Sequence, residues 1–172
     1  MASVGSSSLG AFKTITSAKH LIMSATHYYD VSVNWTSDRK GDLNSPVLNS
    51  NIEVATPPEF AKGIAGVWSP EHLFVAAINS CLMTTFLAIA ENSKLDFVSF
   101  NSKAKGKLEV IDGKYKISEV LLEPVLTIEN EEQKERAIRV LEKSESNCLI
   151  SNSVSSKIIF NPKIEIAKPT VI

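Results

Sequence analysis

Two residues carry the most reactive chemistry open to this 172-residue chain: Cys81 and Cys148, its only cysteines, sixty-seven positions apart. A thiolate is a strong nucleophile, and two thiols can open and close a disulfide, so the pair points to thiol redox chemistry. Cys81 stands among Asn79, Ser80, Thr84 and Thr85 inside an otherwise apolar run. A reactive sulfur would use that polarity, whereas a free cysteine is also a small buried hydrophobe, and composition leaves both readings open. Cys148 lies in Ser146-Asn147-Cys148-Leu149-Ile150-Ser151. There Ser146 or Asn147 could cap a helical turn and set the sulfur near unpaired backbone N–H groups, which lowers a thiol pKa; a thiol that is simply buried or exposed is the alternative. In a reducing compartment a disulfide between the two would be transient and catalytic rather than structural.

Other chemistries find less support. Two cysteines are too few for a sulfur-rich zinc site, and His20, His27 and His72 show no metal-ligand spacing, so no metal is expected. A net charge of −1, three arginines and no lysine cluster give no electrostatic footprint for a phosphate backbone, and no nucleic-acid partner is expected. Residues 1–26 are Ser-rich and broken by Lys13, Lys19 and His20, so they lack the continuous apolar stretch of a secretory signal. They hold no acid before Asp30, as transit peptides do, but no arginine either. They read as a disordered extension, or as the product of an upstream start codon with Met23 the real beginning, and the chain reads as cytoplasmic.

The elements that must position the thiols follow from periodicity. Tyr28 to Trp35 alternates with period two, a strand, and short strands are expected near 41–45 and 51–55 after the turn Asp38-Arg39-Lys40-Gly41. Residues 57–69, with Pro57, Pro58, Gly63 and Gly66, form a loop. Ser69-Pro70-Glu71 then opens a helix: a capping hydroxyl, a proline in the first turn and an acid at the positive end. It should run to about Asn92, and because residues 73–90 are apolar on nearly every side, it should be enclosed all round. A membrane span is the rival reading, opposed by the four polar side chains near its middle. Asp112-Gly113 marks a hairpin between Phe97–Ile111 and Lys114–Ile128, with Pro124 suggesting an edge or a bulge. A half-exposed helix over 131–144, a short helix or turn around Cys148 and a strand over Lys157–Ala167 complete an α+β order in one domain, residues 27–172.

The run Gly66-Val67-Trp68-Ser69-Pro70-Glu71-His72-Leu73, followed by small apolar residues up to Asn79-Ser80-Cys81, resembles the osmotically inducible protein C and organic hydroperoxide resistance superfamily, OsmC/Ohr. The resemblance rests on Pro-Glu-x-Leu, on the ten-residue spacing from Glu71 to Cys81, and on a second cysteine within Cys-x-x-Ser; element order agrees from about residue 27 to 168. Where the hydroperoxide-resistance branch usually has proline after the second cysteine, this chain has Leu149, which resembles a less characterised OsmC-like branch. The resemblance implies antiparallel sheets wrapped around a long buried central helix in an intertwined homodimer. It implies Cys81 as the cysteine that attacks peroxide, Cys148 as the one that resolves it, Arg39 as an activating cation and Glu71 as the acid that holds that arginine. It further implies an organic hydroperoxide as substrate, no bound cofactor, and an external dithiol, typically a dihydrolipoyl group, as reductant.

Geometry adds that Glu71 and Cys81, ten residues apart on one helix, are about 15 Å apart along the axis and on different faces. An antiparallel partner helix would bring Glu71 of one subunit toward Cys81 of the other. The expectation is therefore a thiol-dependent peroxidase. Its rival is a protein on the same scaffold that binds a small hydrophobic ligand or senses redox state without turnover.

Overall fold

A computed structural model describes residues 26–168 of the chain. Its contacts divide the chain into Met1–Asp30 and Val31–Ile172, and all the strands and helices among the described residues belong to the second unit. The expectations for residues 1–26 fall, up to Ala25, outside the described residues.

A first sheet holds β1 (Ser32–Ser37), β2 (Lys40–Asn44) and β3 (Ile52–Ala55), antiparallel in the order β1-β2-β3. The strand begins at Ser32 rather than Tyr28 because its ladder partner ends opposite it: Ser32 pairs with Asn44, after which Ser45-Pro46 leaves nothing to bond. β1 is exposed along its whole length, Trp35 at 76%. The sheet is tied to the start of the long helix by a backbone bond from Ala55 N–H to the Trp68 carbonyl, 2.8 Å long, one residue before the helix cap.

That helix, α1, spans Pro70–Ser93. Extended Ser69 caps it, its hydroxyl accepting from the His72 N–H, and Lys94 in the left-handed region (φ 50°) ends it. The buried residues Ile78, Leu82, Phe86 and Ala90 recur every four positions, which is one stripe. Within the single chain one face of the helix is covered, while Met83 and Leu87 on the other are 40% and 43% exposed. By length and hydropathy alone the helix would pass as a membrane span, its most apolar window having a mean hydropathy of 2.0. In the fold it packs its stripe on a sheet and a second helix.

That sheet is built on β4 (Ser99–Ile111) and β5 (Lys114–Ile128), a long antiparallel hairpin with a bulge between Lys107 and Leu108. Its two-residue turn puts Asp112 and Gly113 at φ 50° and 75°, the geometry an Asp-Gly pair favours. β5 buries alternate residues, Val120, Leu122, Pro124, Leu126 and Ile128, against α1 and against α2 (Lys134–Ser146), which comes after a 3-10 turn at Glu131–Gln133. The close approach of β4 to α1 needs Gly106, where a Cβ would sit 2.6 Å from Val75 Cγ2. The short helix α3 (Leu149–Asn152) leads into β6 (Lys157–Phe160) and β7 (Lys163–Ile166).

Two sequence expectations change here. Both β6 and β7 pair with β5 in parallel, so this sheet is mixed rather than antiparallel, and the single strand over 157–167 is split at Asn161-Pro162. Pro124 is not on an edge strand: β5 is central, with β6 bonding 119–122 and β7 bonding 125–128. A proline, which has no N–H, is tolerated there because the partner strand breaks beside it.

Candidate thiol site

Cys81 sits on α1 next to the buried stripe, half-buried itself. Of the polar residues around it only Thr85 reaches the sulfur, at 3.9 Å. Ser80 and Thr84 donate back to the helix carbonyls of Ala77 and Cys81. Asn79 serves the fold: its amide donates to the Ser102 carbonyl at 3.2 Å and its oxygen accepts from the Ser102 hydroxyl at 2.6 Å, pinning α1 to β4.

Cys148 occupies the joint between α2 and α3 and is fully buried. The joint is held by Cys148 N–H donating to the Glu145 carbonyl (3.0 Å), the Asn147 side chain to the Lys143 carbonyl (2.7 Å) and the Asn152 side chain to the Ser146 carbonyl (3.0 Å). Cys148 is extended (φ −67°, ψ 112°) and is itself the N-cap of α3. Its sulfur lies 4.0 Å from the Ile78 carbonyl, one helical turn before Cys81, and the two cysteines are near disulfide distance. The two sulfurs are thus brought together by α1 and by the α2–α3 joint.

The first two amides of α3 serve Cys81. Ile150 N–H points at the Cys81 sulfur, 3.5 Å away, and the Leu149 amide acts on it as well. Burial pushes the Cys81 thiol up, but donation from Cys148, from Ile150, from Thr85 and from Leu149 outweighs it, and the net shift is below the ordinary thiol value. Cys148 moves the other way: burial first, then its neighbour Cys81, raise it against the opposing pull of Ser151. The expectation that a capped turn would lower the Cys148 pKa is corrected, because burial and the neighbouring Cys81 outweigh what the turn's donors contribute. Sequence reasoning placed Thr85 among four polar neighbours of Cys81 without singling it out, and it missed the Leu149 and Ile150 amides and Ser151. The signal for the last was present in Cys-x-x-Ser, which sets a hydroxyl at the third position of a turn that Cys148 begins.

Arg39 and Glu71 are elsewhere. Arg39 is exposed in the β1–β2 turn, beside Lys62 and Ile64, with its carbonyl accepting from Thr56 N–H at 3.1 Å. Glu71 lies in the first turn of α1 and lines a cavity of about 540 Å³ with Trp68, His72, Val75, Asn79 and Gly106; one carboxylate oxygen is buried there without a partner. Among the described residues no hydrogen bond or ion pair joins either side chain to a sulfur. His72 is a first-turn residue, its Nδ1 2.8 Å from the Ser69 hydroxyl and its ring edge-on to Trp68. No group of three His, Cys, Asp or Glu among the described residues is placed to hold a metal.

The OsmC-like protein family model matches residues 61–163, a span that holds both thiols. A curated relative, the Bacillus subtilis protein YmaD, is 22% identical over 139 residues, covering 78% of this chain and 91% of its own. Among solved structures, an OsmC-like protein from Vibrio cholerae superposes with a TM-score of 0.70 at 23% identity, covering 80% of this chain and 99% of that one. An organic hydroperoxide resistance protein from Elizabethkingia anophelis does so with a TM-score of 0.67 at 20% identity, covering 84% and 100%.

Proposed function

The chain belongs to the OsmC-like protein family, and from that premise we propose that it is a thiol-dependent peroxidase that reduces organic hydroperoxides to alcohols. The observation that carries the reading is the opposed tuning of two adjacent sulfurs. Cys81, half-buried and surrounded by donors, is the more acidic; Cys148, fully buried against it, is the less acidic. A peroxidase needs a thiolate that meets substrate first and a second thiol held back until the first is oxidised.

The Cys81 thiolate attacks the outer peroxide oxygen. The O–O bond breaks, the departing alkoxide takes a proton to become the alcohol, and Cys81 is left as a sulfenic acid. Cys148 gives up its proton and, as thiolate, attacks the Cys81 sulfur; the S–O bond breaks, the departing hydroxide takes up a proton and leaves as water, and a Cys81–Cys148 disulfide forms. An external dithiol, such as a dihydrolipoyl group, restores both thiols by exchange and closes its own disulfide. The cycle requires no bound cofactor.

The reading is completed by a homodimer. The open Met83 and Leu87 face of α1 and the exposed strand β1 are apolar surfaces suited to a second copy. In that arrangement Glu71 of the partner subunit, whose buried oxygen lacks a partner in the single chain, holds an arginine, and Arg39 is the arginine assigned to it. A guanidinium there would favour the Cys81 thiolate and stabilise the leaving alkoxide. The test is consumption of cumene hydroperoxide with a dithiol reductant: steady turnover by the wild type and none by Cys81→Ser is expected. Equal activity in both, or none in the wild type, would return the reading to ligand binding on the same scaffold.

A further inference from the structure

We propose that Phe60 fixes the length of the organic group this chain accepts, by standing between two cavities that both border Glu71. That role rests on the peroxidase reading, which brings Glu71 of one subunit to Cys81 of the other and so to the peroxide. The first cavity, about 540 Å³, is the one lined by Trp68, His72 and Val75. The second, about 500 Å³, is lined by Phe74, Tyr115, Lys116 and Val154. Phe60, Glu71, Leu108 and Ile117 border both, and they form the partition. Three of the four stand on α1, β4 and β5, whereas Phe60 comes from the loop between β3 and α1.

That loop is built to hold one residue in place. Its base is closed by the Ala55 N–H, which donates to the Trp68 carbonyl at 2.8 Å, and by the Ile64 N–H, which donates to the Thr56 carbonyl at 2.9 Å. Inside it the Phe60 N–H donates to the Pro57 carbonyl at 3.1 Å, and the Phe60 carbonyl accepts from the Gly63 N–H at 2.9 Å. Both backbone groups of Phe60 are thereby fixed. Gly63 is required for this fold, because a Cβ there would run into the Pro57 carbonyl oxygen. The Phe60 ring meets Tyr115 edge-on, 5.2 Å between centroids and 78° between planes. Tyr115 is itself exposed, so the contact supports Phe60 rather than a core. A short organic group beside the buried Glu71 oxygen fills one cavity and ends at the Phe60 ring; a longer one must displace that ring.

The test compares tert-butyl hydroperoxide with a long straight-chain alkyl hydroperoxide. Room for one methylene in an apolar pocket changes discrimination about tenfold or more. Phe60→Ala should therefore raise the ratio of kcat/KM for the long substrate over the short one by about that factor, through KM. Phe60→Leu, which shortens the partition and keeps it apolar, should move the ratio the same way by less. Tyr115→Ala leaves the Phe60 ring unsupported and should also raise the ratio, whereas Tyr115→Phe, which keeps the aromatic contact, should leave it at the wild-type value. Binding without turnover is read with two fluorescent amines, naphthylamine and N-phenylnaphthylamine, which differ by one ring and each offer an N–H to Glu71. Phe60→Ala should tighten the larger amine and leave the smaller unchanged. A preference between long and short that Phe60→Ala leaves unchanged, for substrates or for amines, or an equal loss for both, would overturn the role of Phe60. A shifted preference between the amines in a protein that turns over no peroxide would leave the partition standing and remove the peroxidase alone.

Discussion

The amide nitrogen of Ile150 lies 3.5 Å from the Cys81 sulfur, joining residues 69 positions apart. One end of the shortest helix is thereby spent on the thiol of the longest. The amide that a solvent-exposed turn would leave to water acts instead on a half-buried sulfur, where a donor is worth more.

The pH dependence of Cys81 is set by that arrangement. Burial opposes its ionisation, and the donors led by Cys148 overcome that, leaving the pKa below the ordinary thiol value. A lowered pKa puts more thiolate at neutral pH, so iodoacetamide should alkylate Cys81 with a midpoint below that of a free cysteine. Cys148→Ala removes the strongest donor, and the midpoint should rise, with slower alkylation at neutral pH. Thr85→Val should move it the same way by less. Alkylation rates across a pH series, with the modified residue located by peptide mapping, check both.

The core beneath the site should be costly to hollow. Phe86 is fully buried, stacked on Phe100 at 4.8 Å between ring centroids and edge-on to Phe97 at 5.1 Å. Phe86→Ala should cost about 3–5 kcal/mol, read from the midpoint of urea unfolding.

The paired bonds between Asn79 and Ser102 should matter to stability and not to acidity. Ser102→Ala leaves the Asn79 oxygen unpaired in a half-buried joint and should cost about 1–2 kcal/mol. Its Cys81 alkylation midpoint should match the wild type. A shift there would place Asn79 in the thiol site, contrary to the geometry.

Much of this was legible in the residues. Ser69-Pro70-Glu71 marks the start of α1 because each residue meets a need of a helix N-terminus, and Asp112-Gly113 marks the hairpin because its turn needs two left-handed residues. What periodicity could not supply was pairing. β1 starts late and 157–167 splits because strand limits are set by what lies opposite, and Pro124 is tolerated in a central strand through a break in another segment. The thiols show the same division. The spacing that named Cys81 and Cys148 is local, whereas the direction of the α3 amides depends on where α1 runs. The apolar surplus of α1 was plain in its composition, but which face the chain itself would cover was not.

That uncovered face carries its own prediction. Leu87 is 43% exposed on α1, and a glutamate there would be harmless to a monomer but costly in an apolar subunit interface. Leu87→Glu should shift the protein from dimer to monomer in sedimentation equilibrium and lower peroxidase turnover, while urea stability of the isolated chain changes little. A wild type that sediments as a monomer at full activity would remove the dimer from the proposal.

The most direct test is the fate of the thiols after one equivalent of cumene hydroperoxide without reductant, read by intact-protein mass spectrometry and peptide mapping. Wild type should lose the two hydrogens of one disulfide, mapped to Cys81 and Cys148, and Cys148→Ser should stop at a Cys81 sulfenic acid that dimedone traps. Wild-type protein that keeps both thiols reduced under these conditions would contradict the peroxidase.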